Sequence, residues 1–492
     1  MEYSSYQNKV FDFIKEGQGH GIIEAVAGSG KTTTIVEALK LTTGSALFLA
    51  FNKAIAIELG KKIPAHAQAS TLHSAGYKMV RQSSPKAETV NYKIDNIMDS
   101  YQPTATSKYM KADERSAKME TRKIVKQIVS LVKNTLIDYN DAEALYDLAD
   151  YYGVELEAHH LPYVKYVMEE SNRISDMVID FDDMIYLPIY RKVQPSQKYD
   201  WIMVDETQDL NKAQLELVLK LIKSTGRIIV VGDSRQSIYG FRGADVDAMT
   251  RIKDVLKATE LPLSICYRCP SSHLDLARMI VPSIENSPTA KVGEVIDIKE
   301  DMFYASLTTE NPSSTLVLSR TNASLVSYAL RLISNGQKAI IKGRDIGKGL
   351  VSLVKKFPKA ETIADLQNYL NGWKRLETEK LERRHHEAGI QGVEDKHSCL
   401  SNVMDSCETI AEVITKLENL FSDDSVSGYI FSSIHRAKGL ESETVYILNP
   451  SKLPLKYKNM KLWEVEQEQN ICYVAYTRSK NRLVFVRETP KN

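Results

Sequence analysis

The sequence predicts an α/β protein with two parallel-sheet units, each of which is interrupted by a helical insertion. The first observation is the length of 492 residues, which is too great for a single hydrophobic core. The second is that short apolar runs alternate with helical patterns in two separate parts of the chain, as they do in parallel sheets. The third is that two long stretches show helical periodicity without any strand signal. Two α/β domains with helical insertions account for all three observations.

Eight short runs of apolar or β-branched residues read as buried strands. The first set lies at 22–26, 46–51, 201–204 and 228–231. The second set lies at 315–318, 339–341, 445–448 and 483–486. We therefore expect a domain 1A at 1–76 and 179–257 with its helical insertion 1B at 77–178, and a domain 2A at 258–347 and 425–492 with its smaller insertion 2B at 348–424.

The composition is that of a soluble globular protein, with 43% hydrophobic and 26% charged residues. No apolar run approaches the length of a membrane span, and the N-terminal MEYSSYQNKVFDF lacks the pattern of a secretory signal. Five cysteines do not make a disulfide framework in a chain of this length. We therefore expect a cytoplasmic protein with no membrane partner. A net charge of +1 neither supports nor excludes a nucleic-acid partner.

A phosphate-binding loop is predicted at residues 25–32, which read AVAGSGKT between a strand and a helix. Small residues allow backbone N–H groups to surround a phosphate, and the helix start adds a favourable dipole. Lys31 is placed to reach the β- and γ-phosphates of ATP, and the Thr32 hydroxyl to bind Mg²⁺. The predicted nucleotide contacts in this loop are Ala27, Gly28, Ser29, Gly30, Lys31 and Thr32.

A second acidic motif completes the predicted ATP site. The predicted strand at 201–204 is followed by Asp205 and Glu206 in the string VDETQD. Asp205 at the strand tip is suited to hold Mg²⁺, and Glu206 is suited to activate the attacking water. The alternative is a pair of acidic residues that cap a helix after the strand. Next to a phosphate-binding loop, the catalytic interpretation is favoured.

Several further motifs, in a fixed order, resemble the UvrD/Rep family of superfamily 1 DNA helicases, in its short, F-box-helicase-like or phage-type form. The resemblance is carried by STLHS at 70–74, VDETQD, VVGDSRQSIYGFRGA at 230–244, Tyr267–Arg268, SSIHRAKGLE at 432–441 and YVAYTRSK at 473–480. It implies two RecA-like motor domains, Mg²⁺-ATP as fuel, and 3′→5′ movement on single-stranded DNA that unwinds a duplex.

The resemblance also assigns nucleotide contacts outside the phosphate loop. Gln7 corresponds to a glutamine that reads the adenine edge, and Thr33 stands where many members carry an arginine. The remaining assignments are Gln236 as the γ-phosphate sensor, Tyr267 stacked on the base, Arg268 and Arg478 as two arginine fingers, and Glu441 on the ribose. Because the fingers belong to the second motor domain and the phosphate loop to the first, hydrolysis is expected to be coupled to domain closure.

A single DNA strand is the main partner that the resemblance implies. Aromatic side chains stack on any base, so a sequence-tolerant track is expected to carry them. The DNA contacts implied are Phe51, Asn52, His73, Tyr239, Phe241, Arg242, Ser432 and His435. We expect a monomer that acts on single-stranded and tailed duplex DNA, at the nucleoid or in the cytoplasm of a phage-infected host.

Parts of the sequence are also compatible with two other functions and with one other kind of site. The small second insertion is compatible with a translocase that removes proteins from DNA and unwinds weakly. A non-enzymatic DNA-binding adaptor is less compatible, because the motif residues for ATP hydrolysis are all present. A zinc site would combine Cys266 and Cys269 with His397, Cys399 and Cys407, but there is no second cysteine pair at a zinc-ribbon spacing. No metal other than Mg²⁺ is expected.

Overall fold

The structure is a computed structural model that describes every residue except 1, 102, 105, 107–109, 239–247, 384–386, 424–427 and 489–492. Contacts between residues divide it into two units. The first comprises Met1–Ala25 and Gly30–Leu263, and the second comprises Val26–Ser29 and Ser264–Asn492. The finer domain boundaries expected from the sequence stay predictions.

The first unit is built around a six-stranded sheet with the order β3-β2-β6-β7-β1-β8. Every pairing in this sheet is parallel, so the carboxyl ends of its strands share one edge. The unit also holds a two-stranded sheet of β4 and β5. Its strands are β1 Gly21–Ala25, β2 Ala46–Ala50, β3 Ala67–Thr71, β4 Glu88–Thr89, β5 Val178–Ile179, β6 Tyr199–Val204, β7 Ile222–Gly232 and β8 Thr259–Leu263.

Eleven helices of the first unit lie in the described part of the chain. They are α1 Ser5–Glu16, α2 Lys31–Lys40, α3 Lys53–Gly60, α4 Leu72–Ser83, α5 Lys93–Ser100, α6 Ala112–Thr135, α7 Ala142–Tyr151, α8 Leu161–Arg173, α9 Asp183–Tyr190, α10 Lys212–Leu221 and α11 Ala248–Leu256. Side chains at helical spacing on α6 and α8, such as Val125, Val129, Val132, Val164 and Val167, pack into a core apart from that of the main sheet. The helical insertion thus has its own hydrophobic core.

The second unit has a six-stranded sheet with the order β11-β16-β15-β12-β14-β13 and a two-stranded sheet of β9 and β10. All of its strand pairings are parallel as well. The strands are β9 Ile265–Cys266, β10 Glu285–Asn286, β11 Glu294–Lys299, β12 Thr315–Ser319, β13 Ala339–Ile341, β14 Tyr429–Ser433, β15 Ser442–Leu448 and β16 Ser479–Arg487.

The helices of the second unit include a group of four between β13 and β14. The described helices are α12 Ser271–Arg278, α13 Glu300–Thr308, α14 Asn322–Ser334, α15 Arg344–Val354, α16 Ile363–Arg383, α17 Glu387–Met404, α18 Ile410–Leu420 and α19 Leu462–Tyr476. In the parts of both units that the structure describes, no helix combines the length and the apolar character that crossing a membrane requires.

The predicted fold class is confirmed, because each unit has a parallel sheet and a group of inserted helices. All eight predicted strands are present. In the two six-stranded sheets, strands β3, β8, β11 and β14 were not predicted from the sequence, and neither were the short strands β4, β5, β9 and β10 of the two-stranded sheets. Of the first four, β3, β8 and β11 are edge strands, and edge strands carry polar residues or proline that weaken the apolar signal. Pro262 in β8 is one example.

Candidate active site

The phosphate loop follows β1 and leads into α2 through two glycines with left-handed backbone angles. Gly28 has φ +69° and Gly30 has φ +78°, which only glycine adopts at little cost. No side chain caps the start of α2 at Gly30. The Ser29 hydroxyl is buried and has no hydrogen-bond partner among the described residues. These donors fit the phosphate groups of a nucleotide.

The turn Val26–Ser29 makes its contacts within the second unit. The Ala27 N–H donates to the Tyr473 hydroxyl at 2.7 Å, and the Tyr267 N–H donates to the Gly28 carbonyl at 2.9 Å. A Cβ on Gly28 would lie 2.6 Å from the Cβ of Arg268. Glycine is therefore required at position 28 for its backbone angle and for the space beside it.

The acidic motif lies at the carboxyl end of β6, in the first unit. Asp205 is 6% exposed, and Glu206 has a left-handed φ of 51°. The Lys31 ammonium Nζ lies 3.6 Å from Glu206 Oε1. The predicted pair of Lys31 and Glu206 is therefore brought together by the fold. Thr32 is exposed on the first turn of α2, and its hydroxyl and the Asp205 carboxylate are the oxygen ligands that Mg²⁺ prefers.

A chain of hydrogen bonds connects Glu206 with the predicted sensor Gln236. The Gln208 amide nitrogen donates to Glu206 Oε2, and the Gln208 amide oxygen accepts from the Asp233 N–H at 3.0 Å. The Gln236 amide nitrogen then donates to Asp233 Oδ2 at 2.7 Å. Burial raises the pKa of Asp233 to about 6. Gln208 and Asp233 were not singled out from the sequence, although both lie inside the quoted motifs.

Gln7 lies in the first turn of α1 and is 7% exposed. Its amide oxygen accepts from the Ser4 N–H at 3.0 Å, and its amide nitrogen donates to the Thr34 hydroxyl of α2 at 3.0 Å. The structure thus places Gln7 against the helix that begins at the phosphate loop. Thr33 on the same helix is exposed. The roles of both residues in binding adenine stay predictions.

The nucleotide residues predicted in the second unit are joined by ion pairs. Arg268 Nε lies 2.6 Å from Glu441 Oε2, and Lys480 Nζ lies 2.6 Å from Glu441 Oε1. Burial alone would raise the pKa of Glu441, but the Lys480 hydrogen bond and the Arg268 charge hold it below its usual value. Tyr267, next to Arg268, is 48% exposed, so its ring is available for stacking.

The Arg478 side chain is buried in the second unit and does not project into an open site. It is 1% exposed, and its guanidinium donates to the Val474 carbonyl at 2.9 Å and to the Leu440 carbonyl at 3.2 Å. A buried guanidinium that satisfies backbone carbonyls also stabilises the unit. A finger role for Arg478 stays a prediction, and it requires at least part of the guanidinium to leave these carbonyls.

Predicted DNA residues at the sheet edge of the first unit form an aromatic surface. Ala50 and Thr71 are paired at the ends of β2 and β3, so Phe51 and His73 lie just past the same edge. Phe51 is 54% exposed. His73 stacks on Phe181, with ring centroids 3.8 Å apart and an interplanar angle of 21°. Burial lowers the pKa of His73 to about 4, so it is neutral at pH 7.

Phe181 is the residue of this surface that was not predicted. It is 55% exposed and lies in the turn before α9, more than a hundred positions from His73. Asn52, by contrast, uses its side chain to cap α3, because its amide oxygen accepts from the Ile55 N–H at 2.9 Å. Three further predicted DNA residues lie outside the described residues: Tyr239, Phe241 and Arg242.

The two DNA contacts predicted in the second unit differ in exposure. Ser432 lies in β14, is 0% exposed, and donates its hydroxyl to the Ser433 carbonyl at 3.0 Å. This arrangement does not present the Ser432 side chain to DNA, because an internal strand buries it. His435 lies just after β14 and is half-buried. Its role as a DNA contact stays a prediction.

The cysteines weighed for a zinc site are dispersed. Cys266 and Cys269 are buried together, with the Cys269 N–H donating to Cys266 Sγ at 3.4 Å. The His397 ring nitrogen contacts the Asn371 amide oxygen at 2.8 Å. Within the described ranges, no group of three or more His, Cys, Asp or Glu side chains could hold a metal ion.

A glycine-bearing loop between a parallel strand and a helix, with a lysine facing a glutamate from another strand end, defines the class of P-loop nucleotide-binding proteins. The chain belongs to the UvrD-like helicase family. Residues 7–257 match the UvrD/REP helicase N-terminal domain, and residues 270–488 match the UvrD-like helicase C-terminal domain.

Three relatives with known names are similar to this chain and differ in the share of their own length that it covers. F-box DNA helicase protein 1 of Schizosaccharomyces pombe is 22% identical over 94% of this chain and 55% of its own length. The probable DNA helicase II homolog of Mycoplasma pneumoniae is 23% identical over 96% of this chain and 82% of its own length. ATP-dependent DNA helicase PcrA of Staphylococcus aureus is 24% identical over 73% of this chain and 52% of its own length. The chain therefore spans about half the length of two of these relatives.

Proposed function

We propose that this protein is a DNA-dependent ATPase that moves 3′→5′ along single-stranded DNA and unwinds duplex DNA. The observation that carries the proposal is the hydrogen-bonded chain from Glu206 through Gln208 and Asp233 to Gln236. It begins at the residue suited to activate water and ends three positions before the segment in which the resemblance places DNA contacts. Such a connection would allow DNA bound at that segment to act on the residue that activates water.

The side chains of the first unit account for the hydrolysis step. Lys31 binds the β- and γ-phosphate oxygens, and Glu206 orients water and accepts its proton. When bound through Thr32 and Asp205, Mg²⁺ supplies charge neutralisation on the phosphates. The 3.6 Å between Lys31 Nζ and Glu206 Oε1 supports this assignment, since both groups then act at one phosphate position. Arg268 is proposed to neutralise charge that builds on the γ-phosphate during turnover.

Replacing Gln208 is expected to separate ATP binding from DNA stimulation. Gln208→Leu removes both of its hydrogen bonds, to Glu206 and from Asp233, so DNA can no longer act on Glu206 through Gln236. We expect stimulation of ATP hydrolysis by oligothymidylate to fall roughly tenfold, within the usual range of coupling between sites. Fluorescent ATP-analogue titration should show nearly unchanged binding.

The matched control for Gln208 is Gln127→Leu, which changes an exposed glutamine on α6. It should retain full stimulation. Equal stimulation in wild type and Gln208→Leu would remove the hydrogen-bonded chain as the route of coupling.

Phe51 tests whether the aromatic surface binds DNA. Phe51→Ala is expected to raise the oligothymidylate concentration that half-saturates ATPase stimulation by roughly tenfold, because one stacked base contributes about 1–3 kcal/mol. The control is Ile57→Ala on α3, which removes a side chain of similar exposure, 55% against 54%, from the neighbouring helix. Steady-state ATPase assays over a range of oligothymidylate concentrations measure both. An unchanged half-saturating concentration for Phe51→Ala argues against DNA at this edge.

A second candidate is a translocase that removes proteins from DNA with weak strand separation. The observation that favours it is the small second helical insertion, in which the described residues form the four helices α15–α18 between β13 and β14. DNA-stimulated ATP hydrolysis with displacement of a bound protein, but without duplex unwinding, would identify this activity.

A further inference from the structure

Four charged side chains, of which three are buried and Asp180 is 13% exposed, pair with one another at the turn that carries Phe181. Lys93 Nζ of α5 lies 2.6 Å from Asp183 Oδ2. Lys133 Nζ of α6 lies 2.8 Å from Asp180 Oδ2 and 2.8 Å from Asp183 Oδ1. Both lysines and Asp183 are at most 1% exposed. Because burying unpaired ions is costly, these pairs hold the turn and the two helices in one arrangement.

The turn itself is closed by two reciprocal hydrogen bonds from backbone N–H groups to side-chain carboxylates. The Asp180 N–H donates to Asp183 Oδ2 at 3.0 Å, and the Asp183 N–H donates to Asp180 Oδ1 at 2.8 Å. Ser130, one helical turn before Lys133 on α6, donates its hydroxyl to Asp182 Oδ2 at 2.6 Å. Asp180 and Asp182, on either side of Phe181, are therefore both anchored to α6.

The charged forms of Lys133 and Asp183 are favoured by their mutual contact, whereas burial raises the pKa of Asp180 and lowers the pKa of Lys93. Burial alone would raise the pKa of Asp183, but Lys133 and Lys93 hold it below its usual value. Burial would likewise lower the pKa of Lys133, but the charges of Asp183 and Asp180 outweigh the effect of burial, so the pKa of Lys133 is raised. The attraction between Lys133 and Asp183 therefore acts under the conditions in which DNA binds.

We propose that Lys133 is a positioning residue for DNA binding, assisted by Lys93 and Ser130. Through Asp180 and Asp183 it fixes the turn, and the turn holds the exposed Phe181 ring against His73. The insertion helices α5 and α6 thus set the affinity for single-stranded DNA from beneath the stacking surface, without contact with the bases. The inference rests on the proposed function, because it requires that DNA stacks on Phe181.

A double-mutant cycle between Lys133 and Phe181 tests the proposal. Lys133→Met keeps the length of the side chain and removes its charge. We expect the Kd for fluorescent oligothymidylate to rise roughly five- to tenfold, within the contribution of one stacked base. In the Phe181→Ala background the same change should have almost no further effect, because its action passes through that ring. The kcat of ATP hydrolysis at saturating oligothymidylate should stay within about twofold of wild type.

Two further variants guard against an effect of misfolding. Lys126→Met removes a charge from the same helix at a side chain that is 49% exposed and paired with Asp95, and it should leave the Kd unchanged. Ser130→Ala keeps all four charged side chains and loses the hydrogen bond to Asp182 together with a longer one, 3.3 Å, that its hydroxyl accepts from the Asn134 amide. If Lys133→Met does not fold, Ser130→Ala is taken through the same cycle, with an expected rise in Kd of about two- to threefold.

The outcomes separate this inference from the proposed function. If Phe181→Ala raises the Kd for oligothymidylate while Lys133→Met and Ser130→Ala leave it unchanged, the positioning role alone is overturned. The positioning role is also overturned if Lys133→Met raises the Kd equally in the wild-type and Phe181→Ala backgrounds, because the lysine then acts independently of the Phe181 ring. An unchanged Kd for Phe181→Ala itself removes the stacking surface from the proposed function, and the positioning role with it.

Discussion

Glu206→Gln should bind ATP and hydrolyse it roughly 10²- to 10⁴-fold more slowly than wild type, the range that a lost general base produces. The amide keeps the shape of the side chain but cannot accept the proton from water. Lys31→Ala should also stop turnover, with a different cause, since it removes a cation that binds phosphate in the ground state. Its affinity for ATP should therefore fall, whereas Glu206→Gln should retain ATP.

Two exposed residues supply the controls for this pair of variants. Lys40→Ala removes a cation from the same helix as Lys31, where Lys40 pairs with Glu37. Glu58→Gln changes a carboxylate on α3 that pairs with Lys62. Both should hydrolyse ATP at wild-type rates. Single-turnover hydrolysis together with filter binding of labelled ATP measures both quantities. Near wild-type hydrolysis by Glu206→Gln would contradict the assignment of the catalytic base.

Arg268→Ala is expected to lower kcat by roughly a thousandfold while leaving nucleotide-free DNA binding intact. An arginine that neutralises the transferred phosphoryl group contributes effects of this size. Arg268→Lys should not restore the rate, because an ammonium lacks the planar, two-pronged donor geometry. Arg478→Ala should lower kcat too, but it also leaves the carbonyls of Val474 and Leu440 unsatisfied, so the Tm is expected to fall.

Arg278→Ala is the matched control for Arg268. It removes an arginine of α12 that binds Asp275 at the surface of the same unit. It should leave kcat unchanged. If Arg268→Ala loses DNA binding in proportion to ATP hydrolysis, Arg268 contacts DNA rather than nucleotide.

The sequence predicted the parts of the site that are continuous along the chain. Lys31 and Thr32 follow a strand and glycines, and Asp205 and Glu206 follow another strand, so their chemistry and position are encoded locally. Most of the apolar strands of the two six-stranded sheets were predicted, and the exception is the internal strand β14, which reads YIFSS. The edge strand β3, which reads AQAST, was missed because its residues are small or polar and none of them is buried.

The remaining features depend on contacts between distant residues. Gln208 and Asp233 are 25 positions apart, and only the alignment of β6 beside β7 brings them into hydrogen-bonding distance. Phe181 is an ordinary aromatic residue in the sequence, and only the structure shows that its ring stacks on His73. The burial of Arg478 was also unpredictable, because arginine is usually a surface residue.

ATP-driven movement along one strand is tested most directly by single-turnover unwinding of two matched duplexes, one with a 3′ tail and one with a 5′ tail. Low salt is used because backbone contacts are strongest there. The wild-type protein should separate the 3′-tailed duplex in the presence of ATP and leave the 5′-tailed duplex largely intact, and Glu206→Gln should separate neither. Preferential unwinding of the 5′-tailed duplex, or strand separation that persists in Glu206→Gln, would contradict a 3′→5′ motor powered by this ATP site.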